Sequence, residues 1–328
     1  MSESRTRIVT LARHEFRAAA RSKILLVIIG IVVSLTAVSV FIASVSYRSQ
    51  LADYEAYRTA AQASGLDRIA PSPLAALSLL RGALEYLEII GAVIAIALGY
   101  LTVSRERTNR TLPLIRSRPV TSGELASGSL VGAVAVISSL VAVTAAVSVI
   151  CVGTIGNDWI GAGQALQLLL AYIAAIVYLT AFYCLGAIAT ATSKVAANGL
   201  MIALGIWLVV VLVLPQIGDT MDADNQLPGG LFKALGLGHD GEVNILTHFT
   251  TYERIRTWTE EASLAKHFER FSFAMADVKE RYRPYGLGWL LGQTRNDIGW
   301  MIVYATASIA GLRRAFRRQP TIPQQGAS

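Results

Sequence analysis

Charge is what this chain has least of. Only 16% of its 328 residues are Asp, Glu, Lys or Arg, where a soluble domain carries about 25%. That deficit excludes an ordinary water-facing surface. Cysteine is scarcer still: Cys151 and Cys184 both fall inside apolar runs. No disulfide framework or metal-ligand spacing surrounds them, so they read as small hydrophobes in packed helices. The motif G-x-x-x-x-G-K-[ST] is absent, which excludes a phosphate-binding loop of that type in this chain. No small-residue cleavage site follows the first apolar run, so that run reads as a retained span rather than a secretory signal. No apolar run carries a His/Asp/Glu cluster or a Ser–His arrangement, and an enzymatic role for the chain by itself is not expected.

What is there is apolar. Hydrophobic residues make up 53% of the sequence, with a mean hydropathy of +0.50. Runs of about 20 apolar residues mark membrane-spanning helices. Six can be drawn, at 24–46, 77–103, 130–152, 165–190, 197–217 and 297–312, the last being the shortest. The fold class expected is an all-α integral membrane protein with six transmembrane helices.

The net charge of +7 clusters beside the spans, so lipid headgroups and topology explain it better than nucleic acid. Segments 1–23, 104–129, 191–196 and 313–328 together hold sixteen basic against four acidic residues. The positive-inside rule then places both termini in the cytoplasm of a multi-pass protein of the plasma membrane. Segment 218–296 lies outside in this topology, and such long segments translocate largely regardless of charge.

The five parts expected are a cytoplasmic amphipathic helix (1–23), spans one to five with a cytoplasmic loop at 104–129 (24–217), an external helical subdomain (218–296), a sixth span (297–312) and a cytoplasmic tail (313–328). In the first part Ile8, Leu11, Ala12, Phe16 and Ala19 share one face and Arg13, Arg17 and Arg21 another, the pattern of a helix lying in the bilayer interface. In the external segment Thr257 and Glu260 fit a capping box. Trp258, Ala262, Ala265, Phe268, Met275, Val278 and Tyr282 then follow at near-helical spacing. A single helix from Thr257 is expected, ended by Pro284.

Several side chains stand out. Arg81, Glu85 and Glu88 fall at the outer end of the second span with the spacing of one helical face, suited either to an interfacial ion pair or to an outward pathway. His239, His248, His267 and Met275 lie in the external segment but match no metal motif, and no metal is expected. Gly91, Ala95 and Gly99, and separately Gly128 and Gly132, form small-residue stripes that let helices approach closely, within one subunit or between two.

The polar stretch from Ser104 to Glu124 is the most specific feature. Thr121-Ser122-Gly123-Glu124 is another capping-box pattern, set just after Arg118-Pro119, so a helix should start near Val120 and run into the third span. Glu106-Arg107, Thr111-Leu112, Leu114-Ile115, Ser117-Arg118-Pro119 and Glu124 follow in the order seen between the second and third spans of ABC-2 permeases. The sequence therefore resembles the ABC-2 family of ATP-binding-cassette transporter permeases. Arg110 replaces the glycine usual before Thr-Leu, and the basic residue frequent after the coupling helix is missing around Gly128-Ser129. The large external segment resembles that of the branch including permeases for nitrous-oxide-reductase maturation.

The resemblance implies the membrane subunit of an exporter, driven from the cytoplasm by two copies of a separate ATPase subunit that bind the ATP. It implies a second permease subunit, as a homodimer, and no cofactor in this chain. Contact with the ATPase would fall on Glu106, Arg107, Arg116, Arg118, Pro119, Thr121 and Glu124. The other reading is a non-transporting scaffold or maturation partner that docks another protein through its external domain.

Overall fold

A computed structural model describes residues 2–65, 75–108, 121–221, 231–236, 241, 245, 247–278, 282–283 and 285–318. Among them there is no strand. Five helical segments are long and apolar enough to cross a bilayer: Lys23–Ala63, Ala76–Arg105, Ser122–Thr154, Ala162–Thr192 and Ala196–Met221. Arg295–Arg318 is not among them. Asp297 near its start and Arg313, Arg314 and Arg317 near its end leave a short, small-residue apolar stretch between. The helix nevertheless packs lengthwise on the fourth segment, with Gly311 against Ile188.

The helices are α1 (Ser2–Ala20), α2 (Lys23–Ala63), α3 (Arg81–Tyr86), α4 (Ala92–Thr108), α5 (Ser122–Thr154), α6 (Ala162–Thr192), α7 (Ala196–Trp207), α8 (Leu214–Met221), α9 (Leu231–Ala234), α10 (Thr250–Glu261), α11 (Leu264–Met275), α12 (Leu287–Gln293) and α13 (Arg295–Arg318). Two of the crossing segments are not regular throughout. A π-helical turn at Leu87–Gly91 separates α3 from α4, and another at Leu208–Val213 separates α7 from α8.

Buried shares of 67% for the fourth segment and 61% for the second, against 28%, 22% and 11% for the third, first and fifth, make α6 and α3–α4 the centre of the bundle. Glycine allows their close approach. A Cβ on Gly99 would strike the Tyr183 carbonyl and Ala187 amide, and one on Gly186 would strike the Ile96 backbone. The stripe from Gly91 to Gly99 therefore packs within the subunit. α2 is 41 residues long, about 60 Å at 1.5 Å per residue, twice the roughly 30 Å of hydrocarbon it has to cross. The expected external loop after residue 46 therefore begins as helix. Tyr47 there donates to Asp158 Oδ2 at 2.7 Å.

The single helix expected from Thr257 is two. α10 begins at Thr250, so Thr257 lies inside it, and Glu260 binds Arg256 and Arg270 in place of capping a helix. The chain breaks at Ala262-Ser263, where the Ser263 hydroxyl accepts the Lys266 amide at 3.2 Å and starts α11. The apolar spacing runs through this break unchanged, which is why periodicity alone joins the two helices. Trp258, on the expected apolar face, is exposed, while α11 is buried almost all round.

The described part of 218–296 is not a separate body on top of the bundle. α10 runs along α8, with the Tyr252 hydroxyl donating to the Met221 carbonyl at 2.9 Å. Ser263 then donates to the Val210 carbonyl at 2.6 Å and Tyr304 donates to the Ala262 carbonyl at 3.2 Å. Phe268 of α11 stacks on Tyr178 with centroids 4.7 Å apart. Tyr178 lies about 24 Å along α6 from Ala162, near that helix's middle. The pair α10–α11 is thus a hairpin whose tip enters between the crossing helices.

Candidate coupling site and polar cleft

The loop 104–129 leaves α4 and returns through α5. Arg116, Arg118 and Pro119 lie outside the described residues, as do the side chains of Glu106 and Arg107 in the last turn of α4. Thr121 and Glu124 are described and form the reciprocal cap. The Glu124 amide donates to Thr121 Oγ1 at 3.2 Å, and the Thr121 amide donates to Glu124 Oε2 at 2.8 Å. Two otherwise unsatisfied N–H groups are thereby bonded. The helix starts at Ser122 and continues without a break for 33 residues, so the end of the loop and the third crossing segment form one continuous helix.

α1 holds both edges of this loop. On the α4 side, Arg105 donates to Glu15 Oε2 at 2.8 Å and Thr102 donates to the same oxygen at 3.3 Å. On the α5 side, Arg7 lies 3.9 Å from Glu124. Gly128 and Gly132 are where α1 meets α5: a Cβ on Gly132 would lie 2.8 Å from the Ala12 carbonyl oxygen and 2.7 Å from Glu15 Cβ, and one on Gly128 would meet Leu11. The apolar stripe of α1 is accordingly shared. Ala12 and Ala19 are buried against protein, while Val9 and Phe16 remain exposed. Burial pushes the Glu15 carboxyl above its usual range, against the opposing pull of Arg105, His14 and the Thr102 hydroxyl. Glu15 and Arg105 do not stand out from motif reading. Their one signal is that Glu15 is the only acid between Arg5 and Arg21 of a basic helix.

At the other end of the bundle a polar cleft lies between α11 and the crossing helices. Arg81 and Glu85 pair at 2.7 Å, and the Arg81 guanidinium sits 5.5 Å from the centroid of Phe273. Glu88 does not share their setting. It lies in the π-helical turn, only 7% exposed, while both members of the pair are partly open to solvent. Lys266 of α11 bridges Asp219 at 2.7 Å and Glu269 at 2.9 Å. Arg270 reaches Glu260 at 2.8 Å and Asp297 at 3.6 Å.

His267 is fully buried in this network. Its Nε2 lies 3.0 Å from the Glu261 carbonyl and its Nδ1 2.8 Å from Asp297 Oδ1. A carbonyl only accepts, so Nε2 carries the proton toward Glu261, while Nδ1 faces the Asp297 carboxyl. This ties His267 to structure. Met275 is buried in the core, His248 sits in a short 3-10 turn, and His239 lies outside the described residues. Among the described residues no group of three His, Cys, Asp or Glu is spaced to hold a metal ion.

The arrangement is that of a helix bundle with a braced loop at one end and a charged, hairpin-filled cleft at the other. No curated protein matches the chain. The family model described as "ABC-2 family transporter protein" matches residues 9–319, which include α13, the hairpin and the C-terminal part of α1. With crossing helices, capped loop and family match in agreement, the chain belongs to the ABC-2 family of transporter proteins, as a membrane component.

Proposed function

We propose that this chain is the permease subunit of an ATP-driven exporter in the plasma membrane. Two copies of a separate cytoplasmic ATPase bind the ATP, and the permease works as a homodimer with both termini in the cytoplasm. α13 is then the sixth span. Force from the ATPase enters at the loop 104–129, through Glu106, Arg107, Arg116, Arg118, Pro119, Thr121 and Glu124. No cofactor is needed in this chain.

The observation that carries the reading is the bracing of the loop by α1. An element that transmits force has to be stiff and tied to what it moves. Glu15–Arg105 fixes α1 to the end of α4, while Arg7–Glu124 and the contacts at Gly128 and Gly132 fix it to the start of α5. A push on the loop would therefore move the second and third crossing segments together with α1. The substrate would leave past the opposite end, where Arg81, Glu85 and Glu88 line the outward pathway.

Replacing Arg118-Pro119 with Ala-Ala tests this. The double variant should insert normally and bind the ATPase, yet hydrolyse ATP without transport. Transport at the normal rate per ATP hydrolysed would remove the loop from the mechanism.

A further inference from the structure

Among the described residues Glu88 is the acid of this network that makes no ion pair. The residue is buried in the turn. Among the described residues it makes no hydrogen bond or ion pair, whereas both neighbouring cations are engaged elsewhere: Lys266 by Asp219 and Glu269, and Arg81 by Glu85. It lies about 18 Å along the second crossing segment from Ala76 at 1.5 Å per residue.

The charges facing it are known from each element packed on the turn. Glu85 comes from its own segment, Lys266 and Glu269 from α11, and Asp219 from α8. α6 supplies Tyr178, whose hydroxyl donates its one proton to the Glu88 backbone carbonyl at 2.9 Å and so cannot serve the carboxylate. α2 has no ionisable side chain between Lys23 and Tyr47. Three acids and one engaged ammonium surround a fourth acid. An ionised carboxylate in such a place is strongly disfavoured unless a cation joins it. Phe268 stacked on Tyr178 packs α11 beside the turn, and the cation that needs least room there is a proton.

We propose that Glu88 is a proton-binding site closed by the hairpin: its carboxyl carries a proton while α11 is packed against the Leu87–Gly91 turn and releases it in any state that lets water in. Glu88 also lines the proposed outward pathway, but proton binding at this carboxyl does not require that transport occur. Binding one proton more in the packed state links the two equilibria, so the ratio of open to packed hairpin rises up to about tenfold per pH unit.

The test uses the full chain in nanodiscs and the apolar reagent dicyclohexylcarbodiimide, which reacts with protonated carboxyls shielded from water. Peptide mass spectrometry should find Glu88 modified and Glu85, held by Arg81, unmodified, with the Glu88 adduct lost in Glu88→Gln. In parallel, hydrogen-exchange protection factors for residues 264–275 should fall with rising pH in the wild type. Glu88→Gln should hold them high at every pH, and Glu88→Asp should restore the fall. Absence of a Glu88 adduct at every pH, or an equal pH dependence in wild type and Glu88→Gln, would overturn the proposal. Neither readout involves ATP or transport, so such a failure leaves the permease reading untouched.

Discussion

Adding one methyl group at Gly132 should unseat α1. The Cβ of Gly132→Ala would lie 2.8 Å from the Ala12 carbonyl oxygen and 3.3 Å from Ala12 Cα. Carbon contacts prefer about 3.5–4.0 Å, so α1 has to move by roughly an ångström. The Ala12 atoms are backbone and cannot rotate aside as a side-chain tip would. Overpacking of this kind costs about 1–3 kcal/mol, which is a factor of about 5–150 in the equilibrium between docked and detached α1. Gly123→Ala is the control, because its Cβ meets only Thr121 Oγ1 at 3.9 Å. Hydrogen exchange of residues 7–19, measured in nanodiscs, reads the detachment directly. Gly132→Ala should speed exchange by that factor while Gly123→Ala leaves it unchanged. Equal exchange in Gly132→Ala and wild type would mean that α1 does not depend on the glycine seat.

Three further outcomes follow from named contacts. Docking of α1 raises the Glu15 carboxyl above 4.5, so its favourable contribution is full below 4.5 and fades as pH rises through the raised value. Glu15→Gln should flatten this part of the pH dependence of α1 protection; an unchanged profile would show that Glu15 stays in water. Ser263→Ala removes both the cap on α11 and the bond to Val210, and should lower thermal stability in detergent by about 1–2 kcal/mol. Tyr178→Phe keeps the stack on Phe268 but leaves the Glu88 carbonyl without its donor, at about 1–3 kcal/mol, read by the same melt.

The features legible in the sequence were the local ones. The cap at Thr121 and Glu124 depends on residues three apart, and five crossing helices depend on runs of apolar side chains, so both could be read directly. The hairpin could not. Lys266, His267, Glu269 and Arg270 make α11 look like a water-facing helix, and only their partners Asp219, Asp297 and Glu260 make its burial tolerable. Those partners are up to 47 residues away and carry no periodic signature. The role of Gly128 and Gly132 was half legible. Small residues announce a close approach, but that the neighbour is α1 rather than another span follows from tertiary packing. Arg295–Arg318 shows the converse limit: the apolar run at 297–312 is legible, but its terminal charges leave it shorter than the other five, although the helix packs on α6 like its neighbours.

The central claim is that the loop 104–129 is where a separate ATPase pushes. A photo-cross-linking residue placed at Val120, in the full chain expressed in its native host, tests it most directly, with the captured protein identified by mass spectrometry. The expected product is an adduct with an ATPase that carries a phosphate-binding loop, formed from position 120 and not from a control at Trp159 beyond the opposite end of α5. An ATPase that never cross-links from the loop, or adducts only with proteins outside the membrane, would contradict the coupling account.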